Sequence, residues 1–288
     1  MTPPLRQLGL VVHPTRPIER ALREIQEWAS AHGATVGQVR TSAAGREIAE
    51  PVEAGESDVL LAVGGDGTAL SALHAGAASE RPVLAIACGS LGVLTSVTAD
   101  DVQAALDQFA DGRWTPTRVA GLEIETREGT AGTAINDLAI IRDSPGQIAI
   151  AITVDGVLYA RVAGDGMIAA TALGSSAYTM AAGGPLLAPG ADGFVVTPIT
   201  PHGGSCPPLV AGGGSRVELE LDAGRIGVRH ELDGRRVMIA EDLIRVRQRP
   251  DYATLIRLAD AEPRLTGLRR HGLVSDSPRV TARLAREP

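Results

Sequence analysis

Two spacings of apolar residues alternate through the first part of the chain. The short runs LGLVVH (8–13), ATVGQVR (34–40), DVLLAV (58–63) and PVLAIA (82–87) predict strands. Residues 18–33, IERALREIQEWASAHG, carry apolar side chains at helical spacing and end on Gly33, a residue suited to a left-handed cap. TALSALHAGAAS (68–79) and ADDVQAALDQFADG (99–112) read as further helices, the second opened by acidic residues and closed by Gly112. DVLLAV is apolar on both faces, as a buried parallel strand must be. Strands alternating with helices in this way predict a parallel sheet covered on both sides.

After about residue 116 the pattern changes. GLEIETREG (121–129), GTAINDLAIIRD (132–143), GQIAIAITVDGVLYARVAGDGMIAAT (146–171) and SRVELELDAGRIGVRHELDGRRVMI (215–239) are β-rich runs broken by Gly and Asp-Gly. VDGV and LDGR have the form of two-residue hairpin turns. A second, mostly β domain is therefore expected. SSAYTMAAGG (175–184) interrupts it and reads as helical. ATLIRLADAEPRLTGLRRHG (253–272) reads as an apolar strand and a short helix, and SDSPRVTARLAREP (275–288) as a loose end.

Composition narrows the function. Hydrophobic residues make up 44% of the 288 and charged residues 21%, a globular balance. Aromatics are only 2%, so the core must be aliphatic. The net charge of −7 argues against a nucleic-acid surface. There is no Lys in the chain, which excludes Schiff-base chemistry and a lysine phosphate clamp. Cys88 and Cys206 lie far apart, which fits neither a disulfide scaffold nor a zinc site and suits a cytoplasmic protein. The N-terminus lacks a signal-peptide layout, and no uncharged apolar run reaches membrane-span length.

The informative stretch is VGGDGTAL (63–70), a Gly-rich turn after a buried strand. Ligands bind at that end of α/β sheets. Glycines let backbone N–H groups approach phosphate oxygens, and a following helix N-terminus favours an anion. Asp66 is the odd member, because a carboxylate beside phosphates must bind a metal or accept a proton. A plain β–α turn also fits these residues, and the stretch is not a Walker A sequence.

GGDGT resembles the group that joins NAD, diacylglycerol, sphingosine and phosphofructo-kinases, and the later blocks choose among them. PVLAIACGSLGVLTSV (82–97), AINDLAI (134–140), GDGMIAATALGSSAYTMAAGGPLLAP (164–189), TPITPHGGSCPPLV (197–210) and ELDGRR (231–236) are similar to NAD kinase family segments, in family order. The resemblance implies an α/β Rossmann-like N-terminal domain over 1–116 and a mostly-β nucleotide-binding and oligomerisation domain over 117–255, with the active site in the crevice between them. It places a tail over 256–288 packing back on the first domain. It implies ATP-dependent phosphorylation of the 2′-hydroxyl of the adenosine ribose of NAD, with Mg²⁺ carried by the nucleotide phosphates and no protein metal site. It also implies a homodimer or homotetramer, with no nucleic-acid or membrane partner.

On that reading Asp66 is the catalytic base, since a ribose hydroxyl needs a carboxylate to take its proton as the phosphoryl group arrives. Gly64, Gly65, Gly67 and Thr68 hold phosphates. Asn136 and Asp137 bond ribose hydroxyls, Asp165 belongs with them or is turn chemistry, and Tyr178 stacks on adenine beside Ser176, Ala177 and Ala181. His202 reads as structural. Core packing for Tyr178 and an Asx turn at Asn136 are the competing readings.

The departures from the family fall in the acceptor pocket. The family's loop Asn is Ala87, its Phe is Val93, and its Glu is Asp137. Thr-Pro-Thr becomes Thr171, Ala172 and Leu173, a Ser becomes Ala181, and an Asn-Arg pair becomes Cys206 and Pro207. These changes leave two alternatives open: the same chemistry on a smaller nucleoside or specialised-metabolite hydroxyl, or a catalytically silent nucleotide-binding protein.

Overall fold

The computed structural model describes residues 5–41, 45–222, 224, 227–270 and 272–284 of the chain. Residues 1–4 of the N-terminal stretch, 223 and 225–226 of the run over 215–239, and 285–288 of the end lie outside the described residues. Two compact units are present: residues 1–117 with 254–288, and residues 118–253.

The first unit opens with β1 (Gln7–Val12), α1 (Glu19–His32), β2 (Thr35–Gln38), β3 (Val59–Gly64), α2 (Asp66–Ser79), β4 (Val83–Ala87), β5 (Val97–Thr98) and α3 (Val102–Ala110). The strands β1–β5 are parallel and lie in the order β5-β4-β3-β1-β2. All six residues of β3 and all five of β4 are buried, which is why their sequences show no alternation. α1 buries Ala21, Ile25, Trp28 and Ala29 and stops at Gly33, whose φ of 66° turns the chain and lets its N–H donate to the Ala29 carbonyl. Trp28 also donates its indole N–H to Asp107 at 2.6 Å, tying α1 to α3. The core is aliphatic around Leu8, Leu10, Leu61, Leu84, Ile86 and Leu106.

The strand order matters for function. From β1 the chain moves outward to β2, then returns through β3 and moves the other way to β4. The carboxyl ends of β1 and β3 are therefore neighbours at the point where the winding reverses, and such a crevice is where doubly wound sheets bind ligands.

The second unit is β-rich: β6 (Trp114–Thr126, entering from the first unit), β7 (Gly129–Ala134), β8 (Asp137–Arg142), β9 (Ile148–Val154), β10 (Val157–Gly164), β11 (Gly166–Thr171), a short helix α4 (Tyr178–Ala181), β12 (Gly193–Ile199), β13 (Leu209–Gly212), β14 (Arg216–Asp222), β15 (Val228–Leu232), β16 (Arg235–Val237) and β17 (Leu243–Leu258, returning to the first unit). One antiparallel sheet runs β13-β12-β11-β8-β15-β16. Another sets β10, β9, β14 and the start of β17 side by side. Leu122, Ile140, Ile150, Phe194, Val217 and Ile244 belong to one shared aliphatic core.

VDGV joins β9 to β10 and LDGR joins β15 to β16. In both turns Asp and Gly have positive φ: Asp155 49° and Gly156 81°, Asp233 52° and Gly234 73°, as a two-residue hairpin with the strands' own twist requires. The segment 175–184 is less helical than its sequence suggests. A 3₁₀ turn over Gly174–Ser176 precedes the four-residue α4. Its buried residues, Ser175 and Thr179, answer to their neighbours rather than to a helical apolar stripe. After β17 come α5 (Arg264–Arg270) and α6 (Pro278–Leu284); the latter is a short exposed helix where a loose end is expected.

Candidate active site

In the first unit the GGDGT stretch divides between strand and helix. Gly64 ends β3, Gly65 is the N-cap in extended conformation, and Asp66 is the first residue of α2. Only one residue separates strand from helix, so the turn is tighter than a loop. A Cβ on Gly64 would collide with the Thr68 hydroxyl and lie 2.9 Å from His13 Cβ. Gly65 faces the Arg16 guanidinium, 3.0 Å from where its Cβ would sit. Gly67 is exposed with open space around it, and Thr68 is buried.

The Asp66 carboxylate has fixed partners. Oδ2 accepts the backbone N–H of Val93 at 2.8 Å, and Oδ1 accepts that of Leu94 at 3.0 Å. A Cβ on Gly92 would run into both oxygens, so the loop can approach this closely only as glycine. A negative charge in the first turn of a helix also stabilises that helix. An ionised carboxylate has about four lone-pair sites, so two remain for a ligand after the backbone bonds. Val93 contributes its N–H, which any residue other than proline supplies. The change from the family's Phe therefore leaves the clamp intact while removing a ring. Ala87 ends β4 fully buried, and Cys88 behind it donates its N–H to the Gly64 carbonyl at 2.8 Å.

The second unit has its own constellation, at the end of the six-stranded sheet where β8 begins and β11 ends. Asp233, in the β15–β16 turn, accepts the N–H groups of Ile135 at 2.9 Å, Asn136 at 2.6 Å and Asp137 at 3.2 Å. On the other side Thr171 donates its hydroxyl to the Ile135 carbonyl at 2.6 Å and its N–H to the Asn136 carbonyl at 2.9 Å. Gly174 packs against the Asn136 backbone so closely that a Cβ would strike its carbonyl oxygen. Asn136 is thereby held with its side-chain amide half-exposed and bonded to none of the described residues. Ser176 donates to the Leu173 carbonyl at 3.2 Å, and Ala177, Tyr178 and Ala181 are exposed beside it. Tyr178 is 37% exposed, which rules out core filling and leaves its ring free to stack.

Asp137 is 6% exposed. Burial, with the charges of Asp233 and then Glu231, pushes its carboxyl up to about 7.

Asp165 does not join this group. In the β8–β11 register Gly166 faces Ile141 and Ala170 faces Asp137, so Asp165 lies six positions from the Asn136 end. That is about 20 Å along the strand. Its carboxylate accepts the Arg142 Nε–H at 2.6 Å, and this bond holds it below the usual carboxylate range. Asp165 thus stands apart from the Asn136 end, in an ion pair that braces the β10–β11 junction. Cys206 is packed in the apolar core, and the Pro207 carbonyl accepts the Tyr159 hydroxyl at 2.9 Å.

Sequence reasoning missed the two carboxylate clamps. The LDGR turn pointed to Asp233 only as a hairpin residue. Nothing in the chain's local pattern links residue 66 to 93 or 233 to 135.

Comparison with known proteins decides the family. Residues 8–114 match the ATP-NAD kinase N-terminal domain, and residues 135–258 match the ATP-NAD kinase C-terminal domain. The chain belongs to the ATP-NAD kinase family. It is 34% identical over 265 residues to the NAD kinase of Symbiobacterium thermophilum, covering 87% of this chain and 93% of that one. It is 31% identical over 221 residues to that of Alcanivorax borkumensis, covering 74% and 73%. Among solved structures it is similar to yeast NADH kinase complexed with NADH, with a TM-score of 0.79 at 22% identity over 95% of this chain and 89% of that one. It is also similar to an NAD kinase from Archaeoglobus fulgidus in complex with ATP, with a TM-score of 0.74 at 22% identity over 93% and 100%. The two structures share this chain's two-domain ATP-NAD kinase fold.

Two outcomes follow. Gly92→Ala displaces the Asp66 carboxylate, so phosphoryl transfer falls by about 10²-fold or more; the strained pair of charge-assisted hydrogen bonds also lowers the melting temperature by several degrees, while circular dichroism keeps its wild-type shape. For Asp137, the folded chain keeps a proton between pH 4 and 7 that the unfolded chain releases, because its carboxyl is raised to about 7 from 3.8. Stability from this group is thus full below about pH 4 and declines as pH rises to about 7. Asp137→Asn removes the decline, so in urea melts the variant gains on wild type by on the order of a few kcal/mol between pH 4.5 and 8. A gap that stays constant across that range refutes the assignment.

Proposed function

We propose that this chain transfers the terminal phosphate of ATP to the 2′-hydroxyl of the adenosine ribose of NAD, giving NADP and ADP. The observation that carries the reading is the intact GGDGT turn, with Asp66 anchored at the start of α2 by the Val93 and Leu94 N–H groups. The Symbiobacterium and Alcanivorax relatives are named NAD kinase, which favours the dinucleotide over a smaller acceptor and over a silent binding protein.

In the proposed step the ribose oxygen bonds to the γ-phosphorus as the bond to the β–γ bridging oxygen breaks. Asp66 takes the hydroxyl proton on a lone pair not used by the backbone. ADP leaves with the electron pair of the broken bond. Backbone N–H groups at Gly65 and Gly67, at the N-terminus of α2, hold phosphate oxygens, while the Thr68 N–H donates to the Gly65 carbonyl at 2.9 Å and keeps the turn closed around them. Asn136 and Asp137 bond ribose hydroxyls, and Tyr178 stacks on the adenine with Ser176, Ala177 and Ala181 around it. Asp137, near half-protonation at neutral pH, can either accept or donate there. One methylene less than the family's Glu shortens its reach.

Mg²⁺ fits this site as a passenger on the nucleotide. Among the described residues no group of three or more His, Cys, Asp and Glu side chains is placed to hold a metal. Mg²⁺ commonly takes one or two carboxylates and completes its shell with phosphates and water. When bound it neutralises phosphate charge. Among the described residues no helix is long and apolar enough to cross a membrane. A cytoplasmic homodimer or homotetramer, assembled through the β-rich unit, completes the proposal.

Purified protein with ATP, Mg²⁺ and NAD is expected to yield NADP in an enzymatic cycling assay. Asp66→Asn should lower kcat by about 10³-fold or more, with KM for ATP little changed. No NADP from NAD, alongside phosphorylation of a smaller nucleoside, would overturn the acceptor assignment.

A further inference from the structure

A kinase without lysine must find its phosphate-binding cation elsewhere, and the first unit contains one beside the GGDGT turn. His13–Pro17 follow β1 at the point where the sheet's winding reverses, opposite Gly64 and Gly65 at the end of β3. The His13 N–H donates to the Val63 carbonyl at 2.9 Å, which locks the two strand ends together. His13 Nδ1 accepts the N–H groups of Thr15 at 3.2 Å and Arg16 at 3.0 Å, folding the segment into a tight turn. The Arg16 guanidinium then lies over Gly65, with Nη1 3.0 Å and Cζ 3.6 Å from where a Cβ would stand. A Cβ at residue 65 would press on the end of this side chain.

Two arginines meet at this turn, and they differ. Arg46 donates Nη1–H to Glu19 at 2.9 Å and Nη2–H to the Arg16 carbonyl at 2.9 Å, so its charge is compensated and it braces the Arg16 backbone. Arg16 is exposed, and among the described residues no carboxylate lies within ion-pair distance of its guanidinium. Both cations reach the ring they surround: burial first, then Arg16 and Arg46, keep His13 below its ordinary value. That favours the neutral ring, whose Nδ1 can accept the two N–H groups.

We infer that Arg16 is the donor-phosphate cation of this enzyme, gripping the oxygens of the transferring phosphoryl group at the N-terminus of α2. The inference rests on the kinase reading and adds to it a residue from outside the GGDGT stretch. A guanidinium offers five N–H donors in a planar fork suited to phosphate oxygens. Phosphoryl transfer spreads charge over those oxygens, and an arginine placed on them accelerates the step strongly. Arg46, acting through the Arg16 backbone, is a positioning residue.

The test has two arms. Inorganic tripolyphosphate with Mg²⁺, titrated calorimetrically, should bind Arg16→Ala at least about tenfold more weakly than wild type, with Arg16→Lys between them. In NADP synthesis Arg16→Ala should lose about 10²-fold or more in kcat/KM for ATP while KM for NAD moves by less than about twofold, and added guanidinium should restore part of the rate. Equal tripolyphosphate affinity in wild type and Arg16→Ala, or binding by neither, overturns the assignment. So does a loss shared by ATP and NAD that guanidinium does not relieve. Wild-type protein that binds tripolyphosphate through Arg16 but makes no NADP sinks the NAD reading and leaves Arg16 assigned.

Discussion

One carboxylate holds the candidate catalytic centre together. Asp66 begins α2 and accepts two backbone N–H groups from a loop 27 and 28 residues further on. Hydrogen bonds to an ionised group contribute roughly 1.5–3 kcal/mol each, against about 1 for a neutral pair. The helix start, the end of β3 and the Gly92–Leu94 loop are therefore set against one another by a single side chain. The same side chain keeps lone pairs that the backbone does not use, so in the proposed step positioning and chemistry are coupled: what moves the loop moves the proposed base.

The β-rich unit repeats the device with different partners. Asp233, held at positive φ in a hairpin turn, gathers the three N–H groups of residues 135–137 and so presents Asn136. Elsewhere Asp58 accepts the N–H groups of Arg6 and Gln7, and Glu241 those of Arg127 and Glu128. With aromatics at 2% and no lysine, the chain anchors its loops with carboxylates on backbone donors instead of large packed rings. Buried N–H groups at loop corners need partners in any case. An acidic side chain that supplies two or three at once fixes the corner's direction.

This arrangement explains how the site tolerates its departures from the family. At Val93 the backbone N–H holds Asp66, so exchanging the side chain removes a ring without loosening the carboxylate. At Cys206 and Pro207 the replaced polar pair has become a core residue and a carbonyl acceptor for Tyr159. Asp137 is the exception: the shorter side chain sits buried beside Asp233 and Glu231, and its raised carboxyl follows from that crowding.

Local pattern alone made much of the fold legible. Parallel strands buried on both faces, the left-handed cap at Gly33 and the Asp-Gly hairpins are each decided within a few residues, by side-chain burial and by the backbone freedom of glycine. GGDGT marked the candidate catalytic turn for the same reason, since its features are contained in consecutive residues. The clamps from Val93 and Leu94 to Asp66 and from residues 135–137 to Asp233 were not legible, nor was Arg16 over Gly65. Asp-Gly reads alike in any turn, and only the β8–β11 register shows that Asp165 lies at the opposite end of the strand from Asn136. These facts join residues dozens of positions apart through backbone N–H groups that every residue but proline carries. The sequence by itself determined the elements and the glycine-rich turn; which carboxylate takes which N–H, and which cation lies over Gly65, was decided by the tertiary structure, because backbone donors leave no mark in the order of side chains.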